Sequence, residues 1–378
     1  MGGSGSGATP AAAPLAPGAP PAAGSFAIAG ETRGPAARFA AELAAALEAA
    51  GLARAAGAAG AGVVLNVVDP ERPRPFRRRS RGTFVAALWS RADLPADVEE
   101  GLRATYPMLV RTLSNISLCL VPGRGVLFTT MERGYYLVPE SGGLAQAVVE
   151  RLRPLATARL VIDNEFRPDL EPELRDGDEL TREIGEAGRR LDRLGLLPAP
   201  FPIEELLGER ELRHVARLYS IGGLSYGNLS ARKDERRFWM SASGVDKASL
   251  AVPGRDILLV SGYDARAGRI VLSVPPGVEP RRVSVDAIEH WTIYRANPSV
   301  GAILHVHAWM EGIAATEVNY PCGTVELAEE VARLVAAAPD PGHAVVGLRN
   351  HGITATGESL AEILDRIEPR VLRRVPMT

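Results

Sequence analysis

Three histidines stand at spacings that could do chemistry. Residues 301–310, GAILHVHAWM, read as a buried strand that carries His305-Val306-His307. Side chains at i and i+2 of a strand leave the same face, so both imidazoles can reach one metal ion. Zinc accepts imidazole nitrogen, and a catalytic zinc commonly keeps three protein ligands and one open position. A third ligand is offered by His351 in Arg349-Asn350-His351-Gly352, after a second apolar run at 344–348. The same pattern also suits two core histidines that are packed and hydrogen-bonded, so the pair alone leaves both readings open.

Other residues could hold an anion or move a proton. Residues 221–230, IGGLSYGNLS, form a glycine-rich turn, and 240–244, MSASG, form a second small one. Glycines let backbone N–H groups turn toward an anion, and Asn228 and Ser243 add side-chain donors. Each could equally be an ordinary tight loop. Asp286 follows Ser284-Val285 and precedes a helix at 287–295. It reads either as an N-terminal capping carboxylate or as an acid/base group. His214, His290 and His343 read as packing, helix and loop residues. Lysine occurs only at 233 and 247, so a Schiff-base lysine would have to be one of these two.

The elements that must position these residues belong to a soluble chain of two domains. A length of 378 residues favours two. With 46% hydrophobic and 23% charged residues, the chain can bury a core and is neither disordered nor fibrous. A formal net charge of −2 supplies no field for nucleic acid or membrane. Two cysteines, Cys119 and Cys322, exclude a disulfide scaffold and fit a reducing, cytoplasmic compartment. No apolar run is long enough to span a bilayer.

Residues 1–34 are rich in Ala, Pro and Gly and read as a disordered tail without a secretory signal. Residues 35–197 read as an α/β domain. Its pattern is a helix at 35–56, strands at 63–68, 83–89, 116–121, 125–130, 135–138 and 158–162, and helices at 96–113, 143–155 and 176–196. Gly57, Gly60 and Gly62 precede a strand instead of following one, which is the wrong order for a dinucleotide fingerprint. The basic run at 71–81, ERPRPFRRRSR, reads as a solvated loop, with an anionic substrate as its other use. The Pro-broken stretch at 198–202 places the domain boundary, so that 198–378 forms the second domain.

Within that second domain the order of motifs resembles the class II aldolase/adducin family, the type that includes fuculose- and rhamnulose-phosphate aldolases. The resemblance runs from about residue 209 to the C-terminus. It is carried by GNLSAR, SASG, Ser284-Val285-Asp286 before a helix, HVH, CGTVELAEEV and GLRNHGITATGESLAEILDRI. It implies an α/β/α domain with a largely antiparallel sheet, and a cyclic homo-oligomer, often a tetramer, with active sites at subunit interfaces. It implies Zn2+, or another divalent ion, on His305, His307 and His351, and phosphate at Asn228, Ser243, Gly244 and Ser284. The substrate class implied is a small phosphorylated sugar or hydroxy-carbonyl compound.

Three departures bear on activity. The family's acid/base glutamate is here Asp286, one methylene shorter, with Glu289 one turn further along the helix. The family's two serines have become Ser284-Val285, which removes one donor. The segment between HVH and CGT is also short, and Tyr320 is its sole tyrosine. The resemblance therefore implies a metal-dependent lyase of the aldolase type. A dehydratase, epimerase or decarboxylase on the same scaffold, or an adducin-like interaction module, remain the alternatives.

Overall fold

The computed structural model describes residues 22–78, 80, 82–95, 97–130, 134–197, 207–213 and 227–377. His214, the turn at 221–226, Arg79, Arg81 and most of the expected tail lie outside the described residues.

The first sheet has seven strands: β1 (Ala22–Gly30), β2 (Ala53–Arg54), β3 (Ala61–Val67), β4 (Phe84–Ser90), β5 (Ile116–Val121), β6 (Gly125–Thr130) and β7 (Tyr135–Pro139). Their order is β2-β1-β3-β4-β5-β6-β7. The first five are mutually parallel, and β6 and β7 add an antiparallel end. Helix α1 (Pro35–Ala49) starts with the fixed φ of Pro35 at its head and buries Phe39, Leu43 and Leu47 at four-residue spacing. Helices α2 (Val98–Thr112) and α3 (Leu144–Thr157) complete this unit, and α3 packs on α1.

The tail expectation is corrected at residues 22–30. They form a strand that pairs with both β2 and β3. Phe26 is fully buried there, and burial of a phenylalanine side chain contributes about 1.5–3 kcal/mol.

The second sheet has nine strands: β8 (Asp163–Arg167), β9 (Asn228–Arg232), β10 (Phe238–Ser241), β11 (Ile257–Asp264), β12 (Arg269–Ser273), β13 (Ala302–Val306), β14 (Ala314–Ala315), β15 (Val345–Leu348) and β16 (Gly352–Gly357). Their order is β14-β15-β16-β13-β9-β10-β11-β12-β8, antiparallel except at its two edges. Helices α4 (Glu179–Arg193), α5 (Ala287–Ala296), α6 (Val325–Ala336) and α7 (Leu360–Ile367) contribute apolar residues to the same core. No helix among the described residues is long and apolar enough to cross a membrane.

The boundary expected at 197/198 falls elsewhere. Strand β8 pairs with β12, and Ile184, Ala187 and Leu191 of α4 lie in the core of the second sheet. Asp178 caps α4 and also accepts from Lys233 Nζ at 2.9 Å and Trp239 Nε1 at 3.0 Å. Residues 163–167 and α4 therefore pack with the second sheet. The proline-rich stretch at 198–202 lies outside the described residues. The strand expected at 158–162 is likewise displaced to 163–167, because the parallel partner β12 sets its position.

Candidate metal centre

Strand β13 is central in its sheet, between β16 and β9. Its register sets Asn228 opposite His305 on one side and Thr354 opposite His305 on the other. Gly352, at the start of β16, lies against the Val306 carbonyl, where any Cβ would collide. The loop between β15 and β16 is three residues long, and Asn350 adopts φ 58°, a left-handed conformation that asparagine tolerates. This turn brings His351 back over the end of β13.

The three imidazoles meet edge to edge. His351 Nε2 lies 3.2 Å from His305 Nε2 and 3.0 Å from His307 Nε2, and all three donor atoms fall within 4.8 Å of one another. His305 is buried, and His307 and His351 are half-buried. This convergence of three ring nitrogens is the arrangement of a group that could hold a metal ion. His305 Nδ1 faces the Ile353 carbonyl oxygen at 3.1 Å, which places the neutral ring's proton there. A tetrahedral zinc about 2.0–2.1 Å from each nitrogen holds its nitrogens about 3.3 Å apart, so the observed spacing fits a dication among three lone pairs. Burial lowers the pKa of His305 to about 4 and that of His307 well below its ordinary value. Both rings are thus neutral near pH 7, the form that binds metal.

The expected anion and acid/base residues form one connected run beside the histidines. Ser243 N–H donates to the Arg282 carbonyl at 2.8 Å, and Ala242 bridges Val283. This antiparallel pairing sets Ser243 opposite Arg282 and Ser241 opposite Ser284, whose N–H donates to the Ser241 carbonyl at 3.4 Å. Gly244 has φ +70°, and its carbonyl accepts from Arg281 Nη1 at 3.0 Å. Ser284 hydrogen-bonds Asp286, and Asn228 Nδ2 donates to Asp286 Oδ2 at 2.7 Å.

Asp286 stands at the head of α5 but makes no capping bond there, so the capping reading fails. Its other oxygen, Oδ1, is buried without a hydrogen-bond partner among the described residues. Burial raises its pKa, opposed by the charge of His351, the Asn228 bond, Lys247 and Ser284.

Further side chains surround these groups. Lys247 is 4% exposed, and burial lowers its pKa to about 8 against the pull of Asp286 and Asp246. Its signal was its rarity, as one of two lysines. Cys322 Sγ lies 3.2 Å from His351 Nδ1. Thr354 Oγ1 donates to Glu289 Oε1 at 2.6 Å. His290 Nδ1 meets Ser230 Oγ at 2.7 Å inside the core. Tyr320 packs against the core of the second sheet.

Glu289 has a measurable consequence for stability. Burial, then the charge of Asp286, raises its pKa from 4.5 to about 8. The folded state therefore holds this proton more tightly than the unfolded one. The contribution is fully present below pH 4.5 and is lost as pH rises through about 8. Thermal midpoints of the metal-free chain across that window are expected to fall with pH, and Glu289→Gln to flatten the fall. An unchanged slope in the variant would assign it to another group.

Comparison with known proteins adds the following. Residues 212–318 match the family model described as the class II aldolase and adducin N-terminal domain. Methylthioribulose-1-phosphate dehydratase of Pseudomonas aeruginosa is 30% identical over 131 residues, 35% of this chain and 46% of that protein. The same-named protein of Gluconacetobacter diazotrophicus is 28% identical over 127 residues, 34% of this chain and 44% of that protein. The chain thus spans less than half the length of these relatives. The 3-oxo-tetronate 4-phosphate decarboxylase of Haemophilus influenzae is 25% identical over 191 residues, 44% of this chain and 81% of that protein. Among solved structures, L-fuculose-1-phosphate aldolase from Thermus thermophilus aligns with 50% of this chain and 89% of its own, at 22% identity and a TM-score of 0.32.

Proposed function

Proceeding from a class II aldolase/adducin-type domain over residues 212–318, we propose that the chain is a divalent-metal-dependent lyase acting on a small phosphorylated hydroxy-carbonyl compound. The reaction we assign is loss of water beside the carbonyl. The observation that carries the reading is the convergence of the His305, His307 and His351 ring nitrogens within 4.8 Å of one another. Three neutral imidazoles suit zinc best. His305, His307 and His351 would hold the ion, which would supply Lewis-acid chemistry at the substrate carbonyl.

The chain's own residues do the rest. Asn228 fixes Oδ2 of Asp286, which leaves Oδ1 to take the proton from the carbon next to the carbonyl and return it to the hydroxyl on the following carbon, whose C–O bond breaks to release water as the carbon–carbon double bond forms. A buried carboxylate with a raised pKa is a stronger base than one in water. Ser243, Gly244 and Ser284 hold the phosphate, with the Arg281 guanidinium beside them. Dehydration is favoured over aldol cleavage by two considerations. Relatives at 28–30% identity are named as dehydratases. Tyr320, the one tyrosine of the short segment after HVH, packs on the core, whereas aldol cleavage in the resembled family needs a tyrosine to serve the aldehyde.

Elemental analysis of the purified chain is expected to find about one divalent ion per chain. Mass spectrometry after incubation with methylthioribulose 1-phosphate and with pentulose phosphates is then expected to show a product lighter by one water. Carbon–carbon cleavage products would move the reaction to the aldolase reading. Bound metal with no product from any phosphorylated ketose would overturn the substrate class. A chain that takes up no metal would move the adducin-like interaction reading to first place.

A further inference from the structure

Glu289 is used neither by the histidine triad nor by the proton transfer assigned to Asp286. It is 1% exposed on α5, among Ala287, Ile288, His290 and Ile293 of the same buried helix. One oxygen accepts from Thr354 Oγ1 at 2.6 Å, and Oε2 has no hydrogen-bond partner among the described residues. A buried carboxyl group with one oxygen unfilled, neutral below about pH 8, still costs free energy, because that oxygen has lost water without gaining a partner. An apolar side chain would pack there without that penalty, so the carboxylate needs a second explanation.

Thr354 supplies it. Its residue is paired directly with His305 across β16 and β13, so the two side chains share a face. The hydroxyl lies 3.5 Å from His305 Nδ1. A threonine hydroxyl has one proton, and here that proton points at Glu289. Only oxygen lone pairs are left to face His305. Together with the Ile353 carbonyl at 3.1 Å, they surround Nδ1 with acceptors alone. The ring is thereby held with its proton on Nδ1 and its lone pair on Nε2, toward His351 and His307.

We infer that Glu289, acting through Thr354, is a positioning residue for the metal centre: it orients the threonine hydroxyl so that His305 keeps its metal-binding tautomer. The inference rests on the proposed metal site. Outer carboxylates of this kind typically change metal affinity by about 10- to 100-fold.

The test compares the unaltered chain with Glu289→Leu, Glu289→Gln and Thr354→Val. Zinc affinity is measured by competition with a chromophoric chelator, and the thermal midpoint is measured on the metal-free proteins. Glu289→Leu and Thr354→Val are each expected to weaken zinc binding by about 10- to 100-fold. Combining them is expected to weaken it no further, since both break one relay. Glu289→Gln keeps an acceptor for Thr354 and is expected to lose least, and it covers a leucine variant that fails to fold.

The midpoint of metal-free Glu289→Leu is expected to hold or rise, because a buried carboxylate has been removed. A merely structural glutamate would lower affinity and midpoint together, and that result overturns the inference. Unchanged affinity in both Glu289→Leu and Thr354→Val overturns it while leaving the metal centre standing. Failure of the unaltered chain to bind zinc overturns both.

Discussion

Replacing His305 and His307 together with alanine is expected to abolish metal binding. The bound ion should fall from about one per chain to none by elemental analysis, since a site with one imidazole left offers no chelation. His305 lies on β13 and His307 just past its end, with Nε2 contacts to His351 of 3.2 and 3.0 Å. The fold is expected to persist, because β13 keeps its pairing with β9 and β16 through backbone groups. A second readout is thermal. Zinc at a thousandfold excess over its dissociation constant stabilises a native state by about 4 kcal/mol. That shift should appear in the unaltered chain and vanish in the variant. Metal retained at the same stoichiometry would place it elsewhere in the molecule.

Asp286→Asn is expected to lower kcat by roughly two to four orders of magnitude, the range general acid–base groups contribute. Zinc content should stay unchanged. The substitution preserves shape, and the new amide oxygen can still accept from Asn228, which now donates to Oδ2 at 2.7 Å. What is lost is the atom that takes the proton. The same experiment on Glu289→Gln separates the two carboxylates. Glu289 is turned to Thr354, so any loss in its variant should be small, act through metal affinity and recover in excess zinc. A full rate in Asp286→Asn, with an unrescued loss in Glu289→Gln, would transfer the base to Glu289.

The parts legible in the sequence are those fixed by local periodicity. Strands β5 and β6 stand at 116–121 and 125–130 as expected, because apolar residues flank a Pro-Gly-Arg turn. His305 and His307 share a site because a strand has a period of two. His351 joins them because a three-residue hairpin loop returns the chain to the same end of the sheet. What stayed hidden depends on pairing across long separations. Strand β1 lies in an alanine- and glycine-rich stretch whose composition resembles a linker, and only its parallel neighbours β2 and β3 reveal its role. Strand β8, Asp-Asn-Glu-Phe-Arg, has no apolar alternation and exists through β12, about a hundred residues later. Nothing local links Glu289 to Thr354, 65 positions apart.

The way β8 and α4 enter the second sheet governs how this molecule can be taken apart. Leu160 bridges Thr324, Val161 N–H donates to the Gly323 carbonyl at 2.7 Å, and Val325 N–H donates to the Arg159 carbonyl at 3.0 Å. These stitches hold the turn that sets Cys322 beside His351. A fragment begun at the proline-rich stretch loses them. It also bares the hydrogen-bonding edge of β12, uncovers the face that Ile184 and Leu191 close, and strips Lys233 and Trp239 of Asp178. The metal centre is thus portable only with the forty or so residues ahead of its apparent start, and an excision meant to isolate it belongs near Arg159.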